Sequence, residues 1–381
     1  MKIVIIGTTA ESMIRFRKDF IELLCCNGHE VYAFANDYDE IIRENIESLG
    51  AIPVDYVFSR AGFNPFLDVL HTYKLFSKIK NINPDVVLSY FSKPAIFGTI
   101  AAKLARVKNC HAMLEGLGFY FTESQDPLSI KKKLLKRVIV LLYKFSFRYV
   151  DSLILLNVDD KNELLIKENI RVKNAHILGG IGLNMVEYPY VPPPTNPVSF
   201  IFVARFLKEK GVYEFIQAAK TIKKKYPSVH FYMLGQLDLS NPGSLRVEDM
   251  NKLRCDNIIE FPGYVKNVQE WLARASVFVL PSYREGFPRS TQEAMAIGRA
   301  VITCDVPGCR ETVIDGVNGF LIPAYSSDML VQRMLCFIHD PQIITRMGME
   351  SYKIARDNFD SVAVNAKLIN MLQLDIGRPP R

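Results

Sequence analysis

Residues 281–313 read PSYREGFPRSTQEAMAIGRAVITCDVPGCRETV, directly after the apolar run VFVL at 277–280. A short apolar run closed by Pro281 and Ser282 predicts a buried strand, and the residues after it predict a turn opening into a helix near Ser290. Gly286 lets the backbone approach a ligand, and the free amides of the turn and the helix N-terminus suit diphosphate or sugar oxygens. Glu293 falls one turn into that helix. Its carboxylate can accept two hydrogen bonds from adjacent hydroxyls, as recognition of a ribose cis-diol requires, while Glu285 stays at the sugar end. Two such acids alone more often mark an exposed loop and a helix start favoured by the macrodipole.

Upstream, the strand FIFVARF at 200–206 ends in Arg205 and leads through Lys210 and Gly211 to a helix beginning near Tyr213. Two cations at one strand-to-helix turn can stabilise the negative charge that a nucleoside diphosphate gains as it leaves. A solvated basic loop would carry the same residues. The runs VSFIFVARF, HFYMLG, NIIEFPG, VFVLPS and AVITCD each precede a helix or turn, which predicts βαβ units and a parallel sheet. The first half has its own series, KIVIIG, EVYAFAN, DVVLSY and AIFGTIAAKLARV, so two sheets are expected. Between them YPYVPPPTNP, residues 188–197, predicts a stiff extended connection. The reading divides the chain into residues 1–190, residues 191–355 and a tail, 356–381. A helix is expected from about Met347 to Leu374, packing across the domain junction, before the polar end GRPPR.

With 381 residues, about half of them apolar, the chain has room for two cores. A net charge of +7 suits phosphates, anionic membranes or nucleic acid without choosing among them. Seven scattered cysteines lack metal-ligand spacing, and their odd number argues for reduced, cytoplasmic thiols. MKIVIIG turns polar at once and reads as a first strand, not a signal peptide, and no stretch approaches a membrane span.

Taken together and in order, ARFLKEKG, FPGYVKNVQEW and REGFPRSTQEAMAIGRAVITCDVPGCRETV resemble the nucleotide-sugar domain of the family-four retaining glycosyltransferases. The resemblance extends over essentially the whole chain and implies an α/β fold of the GT-B class, two Rossmann-like domains facing a central cleft. It implies Arg205 and Lys210 on the donor diphosphate, Glu285 on the donor sugar and Glu293 on the ribose. Val265, in a turn with Tyr264, would offer its backbone to the base, and Gly286, Phe287 and Pro288 would bring amides to the sugar and diphosphate. Gly7 and Thr8 would let the first domain approach the same phosphates. The implied chemistry is same-face attack with retention, needing no metal or other cofactor, and with UDP-sugar as donor substrate. Many such proteins carry a histidine at the end of the sugar-facing strand. Here the strand reads HAMLEGLG, so His111 is taken as structural and Glu115 as the acceptor-side candidate. Asp37-Tyr38-Asp39 could mimic an acidic metal motif but reads as a solvated turn.

Two further segments, SRAGFNPF at 59–66 and EGLGFYFTES at 115–124, resemble those of bacterial transferases that extend undecaprenyl-diphosphate-linked glycans, including N-acetylgalactosaminyltransferases. The lipid-diphosphate-linked glycan is thus the expected acceptor. The run KKKLLKRVIVLLYKFSFRYV, within 131–150, interleaves bases with apolar and aromatic residues. It suits peripheral binding to the inner face of the cytoplasmic membrane, or a core helix with a solvated basic face. It lacks a recognition module for nucleic acid, which is not an expected partner. UDP-glucose, UDP-galactose or a GDP-sugar as donor, and a nucleotide-sugar-binding protein without turnover, stay open. A dinucleotide oxidoreductase is disfavoured because MKIVIIGTTAES does not complete the glycine fingerprint.

Overall fold

The computed structural model describes residues 1–58, 64–122, 130–239, 241 and 243–374. The chain divides into two compact units, Met1–Ile181 with the segment from Ser361 onward, and Gly182–Asp360.

In the first unit the order is β1 (Lys2–Thr9), α1 (Ala10–Cys26), β2 (Glu30–Asn36), α2 (Glu40–Ser48), β3 (Ile52–Asp55), α3 (Pro65–Ile82) and β4 (Val86–Tyr90). It continues through α4 (Ser92–Leu104), β5 (Asn109–Leu114), α5 (Ile130–Ser146), β6 (Ser152–Leu155), α6 (Val158–Asn162) and β7 (Ala175–Ile177). Among the described residues these strands form one seven-stranded parallel sheet in the order β3-β2-β1-β4-β5-β6-β7. The β-branched runs of β1 and β4 are buried on both faces, as a sheet covered by crossover helices demands. Helix α1 starts with a capping box between Thr9 and Ser12.

The second unit runs β8 (Ser199–Val203), α7 (Val212–Lys225), β9 (His230–Leu234), α8 (Val247–Cys255), β10 (Glu260–Gly263), α9 (Val268–Arg274) and β11 (Val277–Leu280). Then follow α10 (Arg289–Ala296), β12 (Ala300–Cys304), β13 (Gly319–Ile322), α11 (Ser327–His339) and α12 (Gln342–Asn358). Its described strands form a six-stranded parallel sheet ordered β10-β9-β8-β11-β12-β13. Phe200 and Phe231 stack in its core with ring centroids 5.6 Å apart. In both sheets the strand order reverses beside the first strand, at β1/β4 and at β8/β11. An open parallel sheet leaves a crevice at the C-terminal ends of such a pair.

The division falls at Ile181/Gly182 rather than at 190, because the proline-rich connection is stitched into the second unit. Arg299 is completely buried and donates to the carbonyls of Ala275 (3.1 Å), Ile297 (3.2 Å) and Val191. Burial pulls its pKa down to about 10. Tyr190 lies where a side chain on Gly298 would sit.

The helix expected from Met347 to Leu374 is two helices. Backbone pairing of Leu183 with Phe359 (2.8 Å) and Asp360 interrupts it, and α13 (Ser361–Leu372) belongs to the first unit. Its Lys367 donates to the Leu178 carbonyl at 2.7 Å. The GRPPR end, residues 59–63 of SRAGFNPF and residues 123–129, which begin within EGLGFYFTES, lie outside the described residues.

Candidate functional site

In the second unit the predicted residues follow the two strands at the reversal. Arg205 and Lys210 come after β8; Glu285, Gly286, Phe287, Pro288 and Glu293 come after β11. The two loops are locked together. Gly211 has a left-handed backbone (φ 73°), and a side chain there would strike the Pro281 carbonyl. The Tyr283 amide donates to the Glu209 carbonyl at 2.9 Å, and the Tyr283 hydroxyl to Glu214 at 2.7 Å.

This close approach brings Lys210 Nζ to 2.5 Å from Glu285 Oε1, both largely buried. The Glu285 amide donates to the Pro307 carbonyl at 3.0 Å, and Gly308 leaves room for the 285–286 backbone. The turn at 305–309 therefore fixes the direction of the Glu285 side chain. Arg205 is half exposed and pairs with Asp238 at 2.8 Å.

Helix α10 begins at Arg289 after Pro288, without a side-chain cap, and α7 begins after Gly211, also without one. Both N-termini thus present amides from the C-terminal edge of the sheet. Glu293 is 3% exposed. Its Oε1 accepts from Tyr188 at 3.2 Å and from Arg289 Nε at 3.0 Å, whereas Oε2 is buried with no hydrogen-bond partner. Ser282 Oγ, nearby in sequence, is likewise buried and unpartnered. Each such atom costs about 1–3 kcal/mol when left unpaired.

Val265 is half-buried and Tyr264 exposed, on the turn between β10 and α9. Tyr188, Arg289, Asp238 and the 305–309 turn were not singled out from sequence. Only Arg289 had a legible signal, its i,i+4 spacing to Glu293.

In the first unit Gly7 has a packing role. A side chain at Gly7 would collide with the Tyr90 hydroxyl, so the glycine makes room for a tyrosine, and Tyr56 donates to its carbonyl. Thr8 is next along β1. His111 is 3% exposed on β5, and burial lowers its pKa to about 4, despite Asp151. It is a neutral core residue. Glu115 forms an ion pair with Arg17 of α1.

The Asp37-Tyr38-Asp39 triplet is a turn. Asp39 caps α2 by accepting from the Ile42 amide at 2.7 Å, and Tyr38 donates to the Ala33 carbonyl at 2.9 Å. Among the described residues no cluster of three or more His, Cys, Asp or Glu could hold a metal ion. Burial raises the Cys110 thiol to about 12 and pushes Cys304 and Cys309 up as well, which suits inert core residues.

Helix α5 exposes Ile130, Leu134, Val138, Leu141 and Phe145 along one face, flanked by exposed Lys133, Arg137 and Lys144. Lys136 instead faces Glu163 and Glu168, both at 2.9 Å, and Lys132 donates to the Thr122 carbonyl at 3.3 Å. The Lys131 side chain is outside the described part. No described helix is long and apolar enough to cross a membrane.

Residues 190–354 match the family described as Glycosyl transferases group 1. The chain carries a group 1 glycosyltransferase domain. The group 1 domain thus covers both strands of the reversal and every candidate residue of the second unit. A relative along most of the chain is N,N'-diacetylbacillosaminyl-diphospho-undecaprenol alpha-1,3-N-acetylgalactosaminyltransferase of Campylobacter jejuni. It is 28% identical over 358 residues, 90% of this chain and 91% of the relative. UDP-Gal:alpha-D-GlcNAc-diphosphoundecaprenol alpha-1,3-galactosyltransferase of Escherichia coli is 28% identical over 70% of this chain and 69% of its own length. Among solved structures, Anabaena HepE in complex with UDP and glucose superposes with a TM-score of 0.76 at 19% identity, covering 98% of this chain and 99% of that one. The group 1 domain sits in a GT-B fold, with two parallel-sheet α/β units.

Proposed function

We propose that this glycosyltransferase moves a hexose or N-acetylhexosamine, first of all N-acetylgalactosamine, from a UDP-sugar to a lipid-diphosphate-linked glycan, forming an α-linkage with retention. The observation that carries the reading is the Lys210–Glu285 pair at the sheet reversal, beside a helix whose Glu293 keeps one buried oxygen unpartnered. Names of the relatives support the donor and acceptor classes.

In this reading Lys210 leaves Glu285 for the donor diphosphate, joined by Arg205 and the amides of Gly286 and Phe287, while Pro288, which has no N–H to donate, shapes the turn beside them. Growing charge on the leaving phosphate is stabilised as the glycosidic bond breaks. Glu285 orients the sugar, Glu293 accepts from the ribose hydroxyls, and the backbone at Val265 contacts the base. The acceptor hydroxyl attacks from the face the phosphate leaves, and a phosphate oxygen takes its proton. These cations and amides perform the task a metal would otherwise have, so EDTA should leave transfer intact.

The apolar row of α5 with its flanking bases supports peripheral binding to an anionic membrane at the cytoplasmic face. Helix α3 adds exposed Phe66, Val69, Leu70 and Tyr73.

The test is incubation with a panel of UDP- and GDP-sugars and short undecaprenyl-diphosphate-linked acceptors, with and without EDTA, read by mass spectrometry and anomeric NMR. An α-linked product from one UDP-sugar is expected. Donor binding with no product from any acceptor would overturn the reading in favour of a non-catalytic binding protein.

A further inference from the structure

The first sheet has its own reversal at β1/β4, and a buried ion pair lies beside it. Arg17, on α1, is 2% exposed, and the Glu115 side chain, just after β5, is 8% exposed. The guanidinium also donates to the Phe16 carbonyl at 2.8 Å and to Met113 Sδ at 3.0 Å, and lies 4.5 Å from the centre of the Tyr90 ring. Its Nε is buried without a partner. Tyr90 OH is 3.5 Å from Ser12 Oγ and fills the space Gly7 vacates.

Stability does not explain this arrangement. Taking two charges out of water costs about as much as their attraction returns, and well-packed apolar residues of equal volume are often as stable or more so. Here one donor is unsatisfied as well, a further loss. The pair stands at the strand ends where open parallel sheets bind ligands. An arginine fits the task better than a lysine, because its planar fork binds carboxylate and stacks on Tyr90 while staying charged at any working pH.

We propose that Arg17 is a positioning residue for Glu115, holding its carboxylate oriented to accept a hydrogen bond from a hydroxyl of the acceptor glycan. The inference rests on the glycosyl-transfer reading and deepens its acceptor side. No bond forms at Glu115: the carboxylate accepts a hydrogen bond that holds the acceptor glycan, and the proton of the attacking hydroxyl still passes to the departing phosphate. The titratable groups around the pair are Tyr90 from β4 and, behind it, Tyr56 after β3 and Tyr38 after β2. Burial raises all three phenols, against the lowering effect of Arg17 on Tyr90, so they stay neutral around pH 7.

The experiment uses the full chain as wild type, Arg17→Met, Arg17→Lys, Glu115→Gln and the double variant Arg17→Met/Glu115→Gln. Turnover against pH, thermal melting and UDP affinity are measured for each. Glu115→Gln should lose roughly a hundredfold in kcat with UDP affinity unchanged, the size expected when a reactant loses its orientation. Arg17→Met should move the acid limb of kcat to higher pH, because a buried carboxylate without its cation holds a proton more tightly. Arg17→Lys should restore part of the turnover. The double variant carries no buried charge and should melt like wild type, yet stay as slow as Glu115→Gln.

A double variant that regains both melting and turnover would make the pair a packing device and overturn the inference. So would an unshifted acid limb in Arg17→Met. If wild type forms no product with any acceptor, the transfer reading itself falls and takes this inference with it, a failure visible before any variant is measured.

Discussion

Lys210 and Glu285 meet because two glycines permit two backbones to touch, Gly211 against Pro281 and Gly308 against Glu285. Removing either partner should have a different kinetic signature. On the proposed role of Lys210 at the diphosphate, Lys210→Ala should lower donor affinity roughly ten- to hundredfold, measured by calorimetry with UDP. Glu285→Gln preserves shape and should lower kcat by roughly a hundredfold with little change in UDP affinity. Equal effects on binding in both variants would refute this division of labour.

His111 supplies a pH prediction at the same scale. Its folded pKa of about 4 lies below the value of 6.5 expected when unfolded, so the unfolded chain binds more protons between those limits. Stability is therefore complete above about pH 6.5 and falls as pH drops toward 4, by up to about 3 kcal/mol at 1.36 kcal/mol per unit. His111→Leu should flatten that part of the melting temperature against pH. A slope as steep as that of wild type would assign the acid sensitivity to other groups.

At the scale of elements, α5 divides its residues between two tasks. Ile139, Val140 and Tyr143 pack into the first core, while the row from Ile130 to Phe145 faces outward beside Lys133, Arg137 and Lys144. Each exposed base near an anionic surface contributes about 1 kcal/mol, and the attraction is screened within a Debye length. Replacing Lys133, Arg137 and Lys144 by Gln should weaken sedimentation with phosphatidylglycerol vesicles by roughly a hundredfold at low salt, while leaving UDP binding intact. Leu134→Ser with Leu141→Ser should weaken it at high salt too. Vesicle binding indifferent to both sets would remove the membrane role of this helix.

At the scale of the whole molecule, the chain leaves the first unit at Ile181, builds the second, and returns at Ser361 to finish the first with α13. Val364, Leu368, Ile369 and Leu372 bury that helix's apolar face. Leu368→Ala should cost about 2–5 kcal/mol, the range for a leucine truncated in a well-packed core, and appear as a lower melting temperature. A change under 1 kcal/mol would mean that α13 docks loosely and that the first unit is complete without it.

Much of this was legible in residue order. The alternation of apolar runs and helices determined two parallel sheets, because buried strands and crossover helices impose different hydrophobic periods on the chain. The apolar run 277–280, Gly286 and the placement of Glu293 determined a strand, turn and helix start, since local backbone rules act over a few residues. What only the tertiary structure decided were the pairings across long separations: Arg17 with Glu115, Lys210 with Glu285, Tyr188 with Glu293, and Tyr90 against Gly7. It also decided that the connection around Tyr190 belongs to the second unit and α13 to the first. These depend on which strand ends the sheet order brings side by side, and a hydrophobic period records that a strand is buried but not which strand lies next to it.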